Sequence, residues 1–169
     1  MELQIIAFII GLIFGSFLNV LIHRLPLAQS LFKPLGSACP HCKYNIKWYQ
    51  NIPVFSYLWL RGKCSDCKQQ ISIIYPTVEL ITALATLFLY NTHWLGLEFA
   101  LTIALFYTLI VLSFIDFKYK AVPDYLLIIA VVLTLTIGDM INTLMFAGGF
   151  ALLELAITFY IQNIKAKIT

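Results

Sequence analysis

Residues 3–22 and 99–115 contain no charged side chain, and apolar runs of similar character recur along most of the chain. A bilayer core takes about 20 consecutive apolar residues of helix. Inside lipid every backbone polar group needs an internal partner, which leaves helices or closed barrels. Barrel strands would show as short alternating segments. These runs are continuous, so the sequence predicts an all-α polytopic membrane protein with about five transmembrane helices, at residues 3–22, 76–90, 98–115, 124–137 and 143–164. Pro76 is placed to open the second of these, where its missing N–H would be unpaired anyway. Only 11% of residues are charged and 61% are hydrophobic, against about a quarter charged in soluble domains. The acid in Met1-Glu2 stands where a signal peptide would be basic, so the first span is expected to be retained.

The eleven Lys and Arg residues (Arg24, Lys33, Lys43, Lys47, Arg61, Lys63, Lys68, Lys118, Lys120, Lys165 and Lys167) sharpen this reading. With five spans all of them fall on one face, while Glu2, Glu98 and Asp139 fall on the other. The positive-inside rule then puts the N-terminus outside and the loop between helices 1 and 2 in the cytoplasm. The expected organisation is a transmembrane helix at 1–22, a cytoplasmic domain at 23–75 and a transmembrane bundle at 76–169. A net charge of +3 is too mild a surplus for a nucleic-acid partner; the lipid bilayer is the partner that composition requires.

The loop holds all four cysteines as two pairs, Cys39-Pro-His-Cys42 and Cys64-Ser-Asp-Cys67. Two such pairs can present four sulfurs to one ion, and thiolates suit zinc. The expected site is therefore a structural Zn2+ on Cys39, Cys42, Cys64 and Cys67; four thiolates leave no open position for water. His41 reads as a spacer. A reducing cytoplasm disfavours disulfides as the alternative. The aromatic stretch from Trp48 to Tyr57 is expected to pack around the metal or to rest on the membrane.

The run from Gly11 to Pro26, with Gly15, Ser16, Asn19, His23 and Arg24, closely resembles the opening motif of the prepilin leader peptidases, membrane aspartic peptidases of type IV pilus and type II secretion systems. The resemblance continues through both cysteine pairs, Asn51-Ile-Pro53, Ser56-Tyr57, Tyr75-Pro76-Thr-Val-Glu79, Phe114-Ile115-Asp116 and Val122-Pro123-Asp124, covering roughly residues 11–130. It implies a bacterial inner-membrane enzyme that cuts the leader of prepilins or pseudopilins at the cytoplasmic face. Methylation of the new N-terminus would use S-adenosylmethionine. It also implies two catalytic aspartates, the first matched by Asp116, which is expected to be partly desolvated at the end of a span.

The family's second aspartate lies in a GxGD motif, and no GxGD occurs here. The nearest text, Thr136-Ile-Gly-Asp139, is expected on the opposite face, about 30 Å of hydrocarbon away from Asp116. The chain is thus expected to be incomplete at its C-terminus relative to the family. Glu79, Asp124 and the intramembrane Glu154 are weaker candidates for the partner, and Glu79, Asp124 and Asn19 for supporting roles. Asp124 otherwise caps a helix, Glu79 interacts with a helix N-terminus, and Asn19 bonds between helices. Gly11-x3-Gly15 permits close helix packing. Two other readings stay open: a non-catalytic membrane protein whose zinc loop binds pilin-like or secretion-system partners, and a transporter-like bundle in which Glu154 carries protons.

Overall fold

The computed structural model of the protein describes residues 2–31, 37–39, 41–92, 96–120 and 122–138. These residues form helices α1 (Glu2–Arg24), α2 (Phe55–Trp59), α3 (Ile74–Thr92), α4 (Leu97–Tyr119) and α5 (Asp124–Ile137), with a 3-10 turn at Trp48–Asn51. No strand occurs among them; two isolated β-bridges lie in the cysteine loop. Helices α1 and α4, each of 23 residues, are long and apolar enough to cross a bilayer, and α5 is a shorter apolar helix. The expected span at 143–164, with Asp139 and Glu154, lies outside the described residues.

Two boundaries differ from expectation for physical reasons. Helix α3 begins at Ile74, two residues before Pro76. The first N–H groups of a helix have no intrahelical acceptor, so proline is tolerated through the first turn and not only at its first position. Thr77 is the first to close the ladder, its N–H donating to the Ile73 carbonyl at 3.2 Å. Helix α4 does not stop before Asp116 but runs one turn further, to Tyr119. It ends where Lys120 turns left-handed (φ 53°) and donates its N–H to the Asp116 carbonyl. Carboxylate and lysines alike are tolerated there because a helix end can sit in the headgroup region.

The core joins Leu18 and Ile22 of α1, Val78 of α3, Tyr107, Val111, Leu112 and Ile115 of α4, and Leu126 and Ala130 of α5. Opposite faces carry Ile5, Ile9, Ile13, Phe17, Ile128 and Val131 outward, as bilayer-facing surfaces do. The tightest interface is the antiparallel pair α1–α3. Ideal Cβ atoms on Gly11 and Gly15 would each stand 2.6 Å from a backbone Cα of α3, that of Ala83 and Glu79 respectively. Asn19 completes the register by donating Nδ2–H to the Tyr75 carbonyl at 3.0 Å, and Thr86 meets the Tyr107 hydroxyl at 2.8 Å to bring in α4. Close approach of small residues is what associates helices in lipid, where no hydrophobic force acts between them. Gly15→Leu is expected to separate α1 from α3 at a cost of about 3 kcal/mol or more, read as a lowered thermal midpoint in detergent. Gly15→Ala should lower it less, because fewer atoms must be accommodated.

Candidate metal centre and the carboxylates around it

The cysteine loop is built from one device used twice. In the first copy the Cys39 N–H donates to the Tyr44 carbonyl (2.9 Å), the Lys43 N–H to the Cys39 carbonyl (3.0 Å) and the Ile46 N–H to the Ser37 carbonyl (2.8 Å). In the second, Cys64 donates to Gln69 (2.8 Å), Lys68 to Cys64 (3.2 Å) and Ile71 to Gly62 (2.7 Å). The bridges Ala38–Asn45 and Lys63–Gln70 correspond too, as do the left-handed lysines Lys43 (φ 61°) and Lys68 (φ 60°). Sequence reasoning found the cysteine pairs but missed this duplication. Its signal was legible: Cys-x-x-Cys-Lys-x-x-Ile occurs at 39–46 and again at 64–71.

The two knuckles bring their sulfurs together. All four Sγ atoms lie within 4.8 Å of one another, with Cys39–Cys67 at 3.8 Å and Cys42–Cys64 at 4.0 Å. All four are thiols, none in a disulfide. Four thiolates bound tetrahedrally at about 2.3 Å from an ion stand about 3.8 Å apart. The two closest edges thus have the length of a tetrahedral four-sulfur site, and the cluster could hold a metal ion. No acidic side chain belongs to the cluster.

The backbone prepares part of the charge that an ion requires. The N–H groups of Cys42 and His41 point at the Cys39 sulfur and, with the Cys42 and Cys64 side chains, bring its pKa from the ordinary 9.0 down to about 6 against the opposing effect of burial. At Cys42 the Tyr44 N–H favours the thiolate, but burial and the thiols of Cys67, Cys39 and Cys64 outweigh it and push the pKa up to about 12. One thiolate is therefore stable in the metal-free cluster, and further ionisation there is opposed. In metal-free protein the ultraviolet thiolate absorbance is expected to titrate near pH 6. A divalent ion added at neutral pH should then release protons, and its affinity should fall as pH falls.

The carboxylates are placed differently from one another. Glu79 is buried, and its Oε2 accepts the Val54 N–H at 2.7 Å, with the Ser16 side chain hydrogen-bonded to the same carboxyl. Because α3 begins at Ile74, Glu79 lies beyond the first turn, and its partner is another segment rather than its own helix N-terminus. Val54 is held at φ 59°, ψ −48°, with the Phe55 N–H returning to the Pro53 carbonyl. That is a γ-turn of positive φ, a strained conformation for a β-branched residue. Neither the turn nor its carboxylate partner was legible in the sequence, since nothing local to Pro53-Val54 announces a distant acceptor.

Asp116 and Asp124 flank the turn between α4 and α5, and both are exposed. Asp116 lies in the last turn of α4. The Lys118 and Lys120 ammoniums near it lie over the Tyr119 and Phe117 rings. Asp124 is the first residue of α5; the capping position is Pro123, and no side chain caps the helix. Asp124 therefore favours the helix N-terminus by its charge rather than by a cap. Asn19 is buried and bonded to α3.

Comparison with known proteins places this geometry. Residues 9–93 match the model of the bacterial peptidase A24 N-terminal domain. The chain is 36% identical over 168 residues to a prepilin leader peptidase/N-methyltransferase of Aeromonas hydrophila, covering 86% of this chain and 56% of that protein. A protein of the same name from Stutzerimonas stutzeri is 37% identical over 171 residues (88% of this chain, 56% of that protein). One from Myxococcus xanthus is 41% identical over 116 residues (69% and 34%). The chain spans about half the length of the first two relatives. No solved structure matches it. The matched stretch takes in the α1 glycines, both metal knuckles and the Glu79 helix, and on that match the chain belongs to the bacterial A24 peptidase family.

Proposed function

We propose that the chain serves in cleaving the leader of type IV prepilins or pseudopilins at the cytoplasmic face of the bacterial inner membrane, and in methylating the new N-terminus. The reading rests above all on the four-sulfur cluster, two of whose edges match a tetrahedral zinc site, within the segment that matches the family's N-terminal domain. Cys39, Cys42, Cys64 and Cys67 hold a structural Zn2+. Bound there, the ion cross-links the two knuckles and has no open position for catalysis. Asp116 supplies one of the two carboxylates that activate water. Its position in the last turn of α4, followed by Lys118 and Lys120, supports a place at the cytoplasmic membrane surface. Five spans, with the N-terminus outside, carry the arrangement, and S-adenosylmethionine as methyl donor rests on the name of the relatives.

Purified protein in detergent, mixed with a prepilin, tests the assignment. Any cleavage is expected to require Asp116 and to vanish in Asp116→Asn; cleavage that survives the substitution removes Asp116 from the catalytic pair. A chain that leaves the prepilin uncut yet retains it on affinity resin supports the second reading, a non-catalytic membrane protein whose zinc loop binds pilin-like or secretion-system partners.

A further inference from the structure

The register of the α1–α3 pair fixes how deep the cysteine loop reaches. Gly11 faces Ala83, Gly15 faces Glu79, and Asn19 bonds to Tyr75, so Glu79 is level with Gly15. Gly15 lies nine residues before Arg24, the last residue of α1, which is about 13 Å along the helix axis. The Val54 N–H is bonded to the Glu79 carboxylate at 2.7 Å. The turn at 52–55 therefore descends beside α1 and α3 to a level well inside the length of a helix that is itself long enough to span a bilayer.

The surface around this turn is largely apolar, with Asn51 its exposed amide. Residues 48–60 carry no charge, although Lys47, Arg61 and Lys63 border them directly. Hydrophobic stretches of 10–14 residues are buried core helices or re-entrant or interfacial segments, and the exposure of this one excludes the core. Its large side chains point outward: Trp48 is 82% exposed, Trp59 76%, Leu58 67% and Phe55 58%. Phe55 and Trp59 stack on one side of α2 with centroids 6.0 Å apart. Irregular backbone at membrane depth requires its N–H groups to be paired. Pro53 has none, Val54 donates to Glu79, Phe55 to Pro53 and Ser56 to Ile52. The buried carboxylate thus supplies the acceptor that the Val54 N–H does not find locally.

We infer that residues 48–60 form a re-entrant segment immersed in the acyl region of the bilayer, so that the metal knuckles are held against the membrane rather than standing off it. The inference rests on the membrane reading above, and its test separates the two. The full chain is reconstituted in phosphatidylcholine–phosphatidylglycerol vesicles as single-tryptophan proteins, keeping Trp59 (Trp48→Phe, Trp94→Phe) or Trp48 (Trp59→Phe, Trp94→Phe). Alkaline carbonate first establishes that the protein is integral; release by carbonate overturns the membrane reading and the inference together. For integral protein, Trp59 is expected to lose most of its emission to acyl-brominated lipid and little to aqueous iodide. Trp59 quenched by iodide and spared by brominated lipid overturns the re-entrant segment while leaving the membrane reading intact. Trp59 spared by both also overturns it, since the residue would then be covered by protein.

Discussion

Exchanging Cys42 for serine is expected to release the metal and loosen the whole loop between α1 and α3. A structural zinc on two knuckles contributes about 10–16 kcal/mol of apparent binding free energy in small domains at neutral pH, more than any other single interaction available to a loop of this size. The loop has little else to hold it. Of its buried apolar side chains the structure offers mainly Cys39 and Cys64 themselves, and its backbone pairing amounts to two isolated bridges and a few turns. A serine at position 42 keeps the volume but replaces a soft thiolate by a hydroxyl that stays protonated at neutral pH. Metal analysis should therefore fall from about one zinc per chain to near none, and limited proteolysis should open at residues 39–71. His41→Ala should leave both measurements unchanged if the four sulfurs alone hold the ion. A zinc content that survives Cys42→Ser would remove this residue from the ligand set.

The pH dependence of the metal-free loop has a definite sign. Cys39 titrates at about 6 when folded and ordinarily at 9.0, so the folded state binds fewer protons between these values. Stability from this group is present above pH 9 and lost as pH falls through 6. Cys42, raised to about 12, acts oppositely: folding is progressively opposed from pH 9 toward 12. Metal-free protein should thus be most stable near pH 9. Zinc, by taking up the thiolates that the cluster otherwise resists forming, should hold that stability down to lower pH.

What could be read from the sequence divides along the range of the forces involved. The cysteine pairs were legible because knuckle chemistry is local, two sulfurs two residues apart on one turn. Helices α1, α4 and α5 were legible because each is a long apolar run; α3 was found two residues late at its start because proline marks the first turn without naming its first residue. Asp116 was expected to end its span, which was drawn to residue 115; the helix runs on to Tyr119, since one charge near a helix C-terminus does not break the helix. The sequence was silent on the contacts that join remote segments. Ser16, Glu79 and Val54 are brought together only by the α1–α3 register, and that register is set by two glycines whose partners no local pattern identifies.

Glu79→Ala is the second substitution with a large expected effect, and it probes this joint alone. Removing the carboxylate leaves the part-buried Val54 N–H without its acceptor, a loss of about 1–3 kcal/mol. Release of the γ-turn would offset part of this, because holding a residue in a sparsely populated backbone region costs of the same order. The net expectation is about 1 kcal/mol, concentrated at the turn. Amide exchange at residues 52–60 should then accelerate by roughly fivefold. Each knuckle closes its own hydrogen bonds and neither uses Glu79, so zinc content should stay near one per chain. Glu79→Gln keeps a carbonyl acceptor at the same reach and should recover most of the protection. Recovery by glutamine identifies the group as an acceptor for the turn; a glutamine variant as open as the alanine one would mean that the negative charge itself is required, which a role at the reacting centre would demand and a latch would not.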